Sequence, residues 1–283
     1  MFEIAAFQHA IDQQHSPDGK RLHMQDTLAL QWAGHREVWQ RASASLPAQP
    51  VPGDALWLSV ADGVSASPHA ALASRSFLQV LHGQPLQRLP APSALPALVR
   101  EARVQWQSRH LKPHTQGAST TLASVLLAQG KVCAVNCGDS RIWRLRPLPA
   151  GGMAWQPISR DHTVWQHMLD EGEVTPEQRD TYASIYQGLL HCLTLGESDD
   201  GLDDGGEGDG PTTQEWLHIW HGELHAGDVL LLATDGLHET LGDAFLQRLW
   251  DSQADLTANV QALREAYLTA GAPDDCSVVA VAY

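Results

Sequence analysis

Val229-Leu230-Leu231-Leu232-Ala233-Thr234-Asp235-Gly236 runs apolar for five residues and then stops on an aspartate. A short continuous apolar run reads as a strand buried on both faces, and an Asp-Gly pair after it reads as the turn that ends it. The same design recurs at Leu56-Trp57-Leu58-Ser59-Val60-Ala61-Asp62-Gly63 and at Val132-Cys133-Ala134-Val135-Asn136-Cys137-Gly138-Asp139-Ser140. Two more acidic sites flank strands: Gln25-Asp26 precedes Thr27-Leu28-Ala29-Leu30, and Asp274-Asp275 precedes Cys276-Ser277-Val278-Val279-Ala280-Val281. Taken singly, each of these is a turn. Taken together, they put carboxylates at the rims of several buried strands, where they could converge on a multivalent cation as in a metal-dependent hydrolase.

Working outward from these strands, residues 42–54 are rich in Ser, Pro and Ala and read as a loop joining two strands. A helix is expected over 68–81 with Pro68 in its first turn, and another over 94–111, where Leu95, Leu98, Val99, Ala102 and Trp106 share a face. Strands follow at 119–128, 131–138 and 141–146, the first two joined by a tight hairpin at Gln129-Gly130. Val164 to Leu169 read as helical, Gly172 breaks the run, and Pro176 opens another helical turn. Residues 196–210 are almost wholly Gly and acid. They cannot build a core, and their spacing fails the Asp-x-Asp-x-Asp-Gly calcium frame, so a mobile surface loop is expected over about 196–211. Two more helices are expected after 234, with Leu256, Val260, Leu263 and Tyr267 on one buried face, and 277–283 reads as a central strand. Strand runs with outer helices suit a sheet-on-sheet core covered by helices. The pattern alone leaves other α+β arrangements open.

Composition narrows the function. With 283 residues and 43% hydrophobic content the chain can bury a large core, and it has no apolar run near 20 residues, so membrane insertion is not expected. The N-terminus lacks a basic segment followed by an apolar one, which predicts a cytoplasmic location. A net charge of -15 argues against nucleic acid, whose phosphates are bound by clustered Lys and Arg. It also repels a phosphorylated substrate unless cations reverse the local field. Cys133 and Cys137 would lie roughly 13 Å apart along a strand, too far for a disulfide or shared ion, and all four cysteines read as buried thiols. The 15 histidines contain no His-Glu-x-x-His. Carboxylates without such partners favour Mg2+ or Mn2+ over Zn2+.

In order along the chain stand Gly19-Lys20-Arg21 with Gln25-Asp26, Val60-Ala61-Asp62-Gly63, Gly117-Ala118-Ser119-Thr120-Thr121, Asn136-Cys137-Gly138-Asp139-Ser140-Arg141, Arg160-Asp161-His162, Ala233-Thr234-Asp235-Gly236-Leu237 and Asp274-Asp275-Cys276-Ser277. In their order and spacing these blocks resemble the bacterial metal-dependent serine/threonine phosphatases of the protein phosphatase 2C (PPM) type. The resemblance implies one domain over 1–283, a four-layer αββα sandwich of two mainly antiparallel β-sheets flanked by helices, with a flap over about 162–195. It also implies two Mn2+ or Mg2+ ions: Asp62 bridging both, Asp235 and Asp274 completing one site, the Gly63 carbonyl serving the other, and Asp26 holding metal-bound water. Asp139 with Asp235 would add a third metal site, and Arg21 would grip the substrate phosphate through its planar fork. A hydroxide bridging the ions would attack phosphorus directly. From the residues alone, Asp26 has a second reading as a strand-end cap, Asp139 as a hydrogen-bond node and Arg21 as a surface charge.

Three departures stand out. Gln25 replaces the Glu many members carry, Ser65-Ala66 replaces a glycine pair, and Val64 replaces the animal-type His. No general acid is thereby assigned; His69 is a candidate that also reads as a surface residue at a helix start. The expected function is a phosphoserine/phosphothreonine phosphatase acting on phosphoproteins, opposing a bacterial Ser/Thr kinase and working as a monomer. A regulatory binding module on the same fold is the alternative, and hydrolysis of a small phosphate ester is a third possibility.

Overall fold

The computed structural model describes residues 2–11, 24–83, 86–181, 188–196 and 216–283. The chain opens with β1 (Phe2–His9), β2 (Thr27–Trp32), β3 (His35–Trp39), β4 (Ser43–Val51) and β5 (Ala55–Ala61), followed by α1 (Ala70–His82) and α2 (Leu95–His110). Next come β6 (Ser119–Thr120), β7 (Leu122–Ala128), β8 (Lys131–Cys137), β9 (Arg141–Pro147), β10 (Met153–Pro157) and α3 (Val164–Asp170). The last part holds β11 (Leu193–Thr194), β12 (His218–Glu223), β13 (Val229–Ala233), α4 (Asp235–Leu241), α5 (Asp243–Leu249), α6 (Leu256–Thr269) and β14 (Cys276–Ala282).

Two six-stranded antiparallel sheets result, in the orders β10-β9-β13-β14-β1-β4 and β12-β8-β7-β5-β2-β3. Each central strand sends alternate side chains to two apolar layers, which is why these strands read as continuous apolar runs. On β13, Leu230 and Leu232 join Val279 and Val281 of β14 and Leu58 and Val60 of β5 in the core between the sheets. Its other residues, Leu231 and Ala233, pack outward with Leu237, Leu263 and Tyr267 beneath α4, α5 and α6. The outer face of the second sheet buries Trp57, Phe77, Val99 and Trp106 beneath α1 and α2. The layers are therefore helix, sheet, sheet, helix, an αββα sandwich. Truncating an intersheet residue such as Leu230 to Ala would cost about 2–5 kcal/mol.

The Gln129-Gly130 hairpin has both residues at positive φ, 53° and 78°, as a two-residue turn between twisted strands demands. The last strand is central, between β1 and β13. The helical face predicted for α6 is buried as expected, with Asn259 added. Three readings need correction. Residues 43–51 form a strand rather than a loop: β4 lies at the sheet edge, where Pro47 and Pro50 cost little, and the ladder is irregular between Ile4 and Ala6 of β1. The region after 234 holds three helices rather than two, because Gly242 (φ 74°) separates α4 from α5. Pro68 also falls just before α1 rather than in its first turn; the helix starts after His69 in a left-handed conformation (φ 55°).

Among the described residues no helix is long and apolar enough to cross a membrane. The four cysteines are free thiols, three of them buried.

Candidate metal and phosphate site

Strand ends on one side of the sandwich bring the acidic blocks together. Asp26 immediately precedes β2 and Asp62 immediately follows β5, and these strands pair Thr27 with Ala61, so register alone sets the two side by side. Asp139 lies in the turn between β8 and β9, Asp235 opens α4 after β13, and Asp274-Asp275 lead into β14, the neighbour of β13. Asp26 is fully buried; Asp62, Asp139, Asp235 and Asp274 are partly exposed.

Two glycines make the close approach possible. A Cβ on Gly63 would lie 2.4 Å from the Ala70 carbonyl oxygen, and one on Gly236 would lie 1.9 Å from that of Asp275. Neither position admits a side chain unless backbone moves. Gly63 thus seats the Asp62 turn against α1, and Gly236 seats Asp235 against the start of β14.

Hydrogen bonds then fix the backbone beneath the carboxylates. The Asp62 carbonyl accepts from Thr121 N and Thr120 Oγ1, both at 2.8 Å, and its N–H donates to Thr121 Oγ1 at 3.0 Å. Thr121 Oγ1 also meets Ser140 Oγ at 2.7 Å, tying the Asp62 and Asp139 turns together. The Thr234 hydroxyl donates to Asp26 Oδ2 at 2.7 Å and accepts from Ser277 N at 2.9 Å. Asp275, buried, accepts from Ile11 N at 2.8 Å and Gln25 N at 2.7 Å. The side chain of Asp274 accepts from Asp275 N at 2.8 Å, and its carbonyl accepts from the Tyr267 hydroxyl.

The electrostatics are those of a site that lacks positive charge. Burial pushes the Asp26 carboxyl well above the usual range, and nearby Asp275 and Asp235 add to it. Asp62 is raised by burial, then by Asp26 and Asp235. Asp139 is raised by burial, then by Asp235 and Asp161, and is eased by Arg141. Asp274 shares these surroundings: the buried Cys276 thiol is pushed up by burial and then by Asp26, Asp235, Asp274 and Asp275. Asp26 Oδ1 and Asp235 Oδ1 are buried with no hydrogen-bond donor. Buried carboxylates in contact are stable only with a shared proton or a cation between them, and an all-oxygen donor set suits a hard divalent ion. The residues fit a divalent cation on those grounds. Among the described residues no three His, Cys, Asp or Glu side chains form a ready-made metal cage.

Of the expected site residues, Asp26, Asp62 and Asp235 are brought into mutual electrostatic contact and Asp139 joins them through Asp235; Gly63 lies beside them, and Asp274 enters through the turn pressed on Gly236. Arg21 and Lys20 lie outside the described residues, as do 197–211 of the acidic loop and 182–187 of the flap. The described parts of the flap are anchored at the site: His162 N donates to the Gly138 carbonyl, and β11 pairs Leu193 with Thr120 and Thr194 with Ser119. His69 is exposed, its ring edge-on to His114 at 6.1 Å. Sequence reading missed the supporting roles of Thr121, Thr234 and Asp275. All three sat inside motif blocks already singled out, Asp275 as the second acid ahead of an almost wholly apolar strand.

The comparisons with known proteins agree with this architecture. A family model described as "Protein phosphatase 2C" matches residues 46–269. The serine/threonine protein phosphatase PstP of Mycobacterium tuberculosis is 30% identical over 170 residues, 60% of this chain; the chain thus spans only 28% of that relative's length. The structure of the serine/threonine phosphatase Stp1 from Staphylococcus aureus is similar in fold, with a TM-score of 0.74 at 17% identity over 100% of this chain and 95% of that one. So is that of the catalytic domain of PstP in complex with two manganese ions, with a TM-score of 0.65 at 24% identity over 100% and 99%.

Proposed function

This chain belongs to the protein phosphatase 2C family, and on that premise we propose that it is a metal-dependent phosphatase of phosphoserine and phosphothreonine in proteins. The observation that carries the proposal is the convergence of Asp26, Asp62, Asp139 and Asp235, with two carboxylate oxygens buried and without donors. Two Mn2+ or Mg2+ ions would supply Lewis-acid polarisation of the phosphoryl group and a water acidic enough to attack it. The manganese held by the PstP catalytic domain supports that choice of ion.

In this reading Asp62, Asp235, Asp274 and the Gly63 carbonyl are the groups that would hold the two ions. Asp26, fixed by the Thr234 hydroxyl, orients water, and Asp139 with Asp235 forms a weaker third position. Arg21 would bind the substrate phosphate, for which its planar guanidinium is suited. The reading carries with it one domain over 1–283, a cytoplasmic location suited to free thiols, a monomer, and a Ser/Thr kinase that supplies the substrate.

The test is hydrolysis of an aryl phosphate and a phosphothreonine peptide with Mn2+, with Mg2+ and with chelator, for wild type and Asp62→Asn. Activity restored by Mn2+ and abolished by the substitution is expected. Robust turnover in chelator would reject the mechanism, and a folded, metal-binding but inert wild type would support a regulatory module instead. Arg21→Ala should chiefly raise KM for the peptide.

A further inference from the structure

Two departures from the family pattern, Gln25 and Ser65, meet in space. The Ser65 hydroxyl donates to Gln25 Oε1 at 2.8 Å. Gln25 itself is held on three sides by its backbone: its N–H donates to Asp275, and its carbonyl accepts from Gly63 N at 3.3 Å and from the Ser74 hydroxyl. The residue is thus locked beside Asp26 and against the Asp62-Gly63 turn, with its side chain on the partly exposed rim.

A glutamine amide has one oxygen acceptor and two N–H donors. Here the oxygen is occupied by the Ser65 hydroxyl. The two amide N–H groups make no hydrogen bond to any described residue. They are donors at the edge of a strongly anionic site, where a glutamate would add one more negative charge facing an incoming phosphate. A neutral donor removes that repulsion and offers a hydrogen bond in its place.

We infer that Gln25, held in register by Ser65, is a phosphate-binding residue that donates its amide N–H to a phosphoryl oxygen of the substrate. The inference rests on the phosphatase reading above and deepens it. Ser65 is a positioning residue in this scheme: it touches no substrate and acts by fixing which face of the amide turns inward.

The test compares wild type, Gln25→Ala, Gln25→Glu, Ser65→Ala and the Gln25→Ala/Ser65→Ala double variant, all loaded with Mn2+. Three quantities are read: KM and kcat on a phosphothreonine peptide, the Kd of inorganic phosphate by calorimetry, and the Kd of Mn2+. Gln25→Ala is expected to raise KM and the phosphate Kd together, about 10–100-fold, the loss of one hydrogen bond to a charged group, with kcat and Mn2+ affinity within twofold. Gln25→Glu should raise both further. Ser65→Ala should show a smaller effect in the same direction, and the double variant should be no worse than Gln25→Ala, since Ser65 acts through the amide. An active wild type with unchanged KM and phosphate Kd in Gln25→Ala overturns the inference and leaves the phosphatase reading standing. Weakened Mn2+ binding with unchanged phosphate binding also overturns it and assigns Gln25 to the metal shell. Additive losses in the double variant would remove Ser65 from the scheme, whereas an inert wild type that still binds phosphate through Gln25 would sink only the phosphatase reading.

Discussion

Strand β5 and the turn that ends it anchor two groups of polar side chains three residues apart, at Ser59 and Asp62, and they are built in opposite ways. At Ser59, beneath α1, the Trp57 indole N–H donates to Ser124 Oγ at 3.0 Å, Ser124 meets Ser59 at 2.7 Å, Ser59 meets His82 Nε2 at 2.9 Å, and His82 Nδ1 meets Gln31 Oε1 at 3.1 Å. The Gln31 oxygen can only accept, so His82 Nδ1–H donates to it, and with His82 neutral the donors run one way, from Trp57 through Ser124 and Ser59 to His82. Burial, with Arg36 nearby, holds that imidazole down to about 3. At Asp62, just past the end of β5, carboxyls face carboxyls, and buried oxygens of Asp26 and Asp235 have no donor. A satisfied network is structural: it specifies the packing of α1 on its sheet. A group of buried charges left without partners destabilises the fold on its own, so its persistence points to something outside the chain that completes it.

The contrast breaks most visibly under substitution. Asp62→Asn should lower kcat by about 10³-fold or more, equivalent to roughly 4 kcal/mol of barrier. In metal-free protein the same change removes a repelled charge, so the melting temperature should hold or rise. A melting temperature that falls sharply in chelator would make Asp62 structural, like Ser59. Next in size is His82→Ala, which strands Ser59 and Gln31 and opens a cavity; it should cost about 2–4 kcal/mol of stability while leaving kcat/KM per folded molecule unchanged. A fall in kcat/KM with intact stability would reverse the assignment.

Adding Mn2+ at about 100 times its Kd should stabilise wild type by roughly 2.7 kcal/mol and stabilise Asp62→Asn far less. Equal shifts for both proteins would place the ion elsewhere.

The smallest effect concerns pH. His82 and His162 are buried, with values depressed to about 3 and about 4; His162 accepts from Gly138 N at 3.1 Å, which again requires the neutral ring. Unfolded, each takes up a proton near 6.5. Stability from these two groups is therefore present above pH 6.5 and lost as pH falls toward 4 and 3, at up to about 1.4 kcal/mol per pH unit each. The raised carboxyls act in the opposite sense in metal-free protein: their contribution is present below the ordinary carboxylate value and lost as pH rises through the raised one. Comparing His82→Gln with wild type isolates the imidazole, and the variant's stability should fall less steeply from pH 6.5 to pH 5. Parallel profiles would show that His82 does not titrate between the states.

Much of this was legible in the residues. Apolar runs ending on acids located β5, β8 and β13 and placed their carboxylates at one end of the sandwich, because a strand buried on both faces needs no alternation to be recognised. The Gln129-Gly130 turn and the α6 face were legible for equally local reasons. What escaped was decided by neighbours. Pro47 and Pro50 read as breakers of a strand, and only the edge position of β4 removes their cost. β12 (His218–Glu223) is mostly half-buried and polar, and its pairing with β8 supplies the order its own sequence does not signal. The Ser59–His82 network was invisible because serine, glutamine and histidine on separate elements carry no spacing. The hydrogen bond between Gln25 and Ser65 could not be foreseen either: each was seen as a departure, and their contact depends on how the Asp62 turn folds back over β2.

The account depends on divalent ions seated between the carboxylates at the strand ends. Anomalous diffraction at the manganese edge from crystals grown in Mn2+ tests it most directly. The account predicts strong peaks bonded to carboxylate oxygens of Asp62 and Asp235, lost in Asp62→Asn crystals. Ordered manganese absent from those two residues, in crystals of protein that is catalytically active, would contradict it.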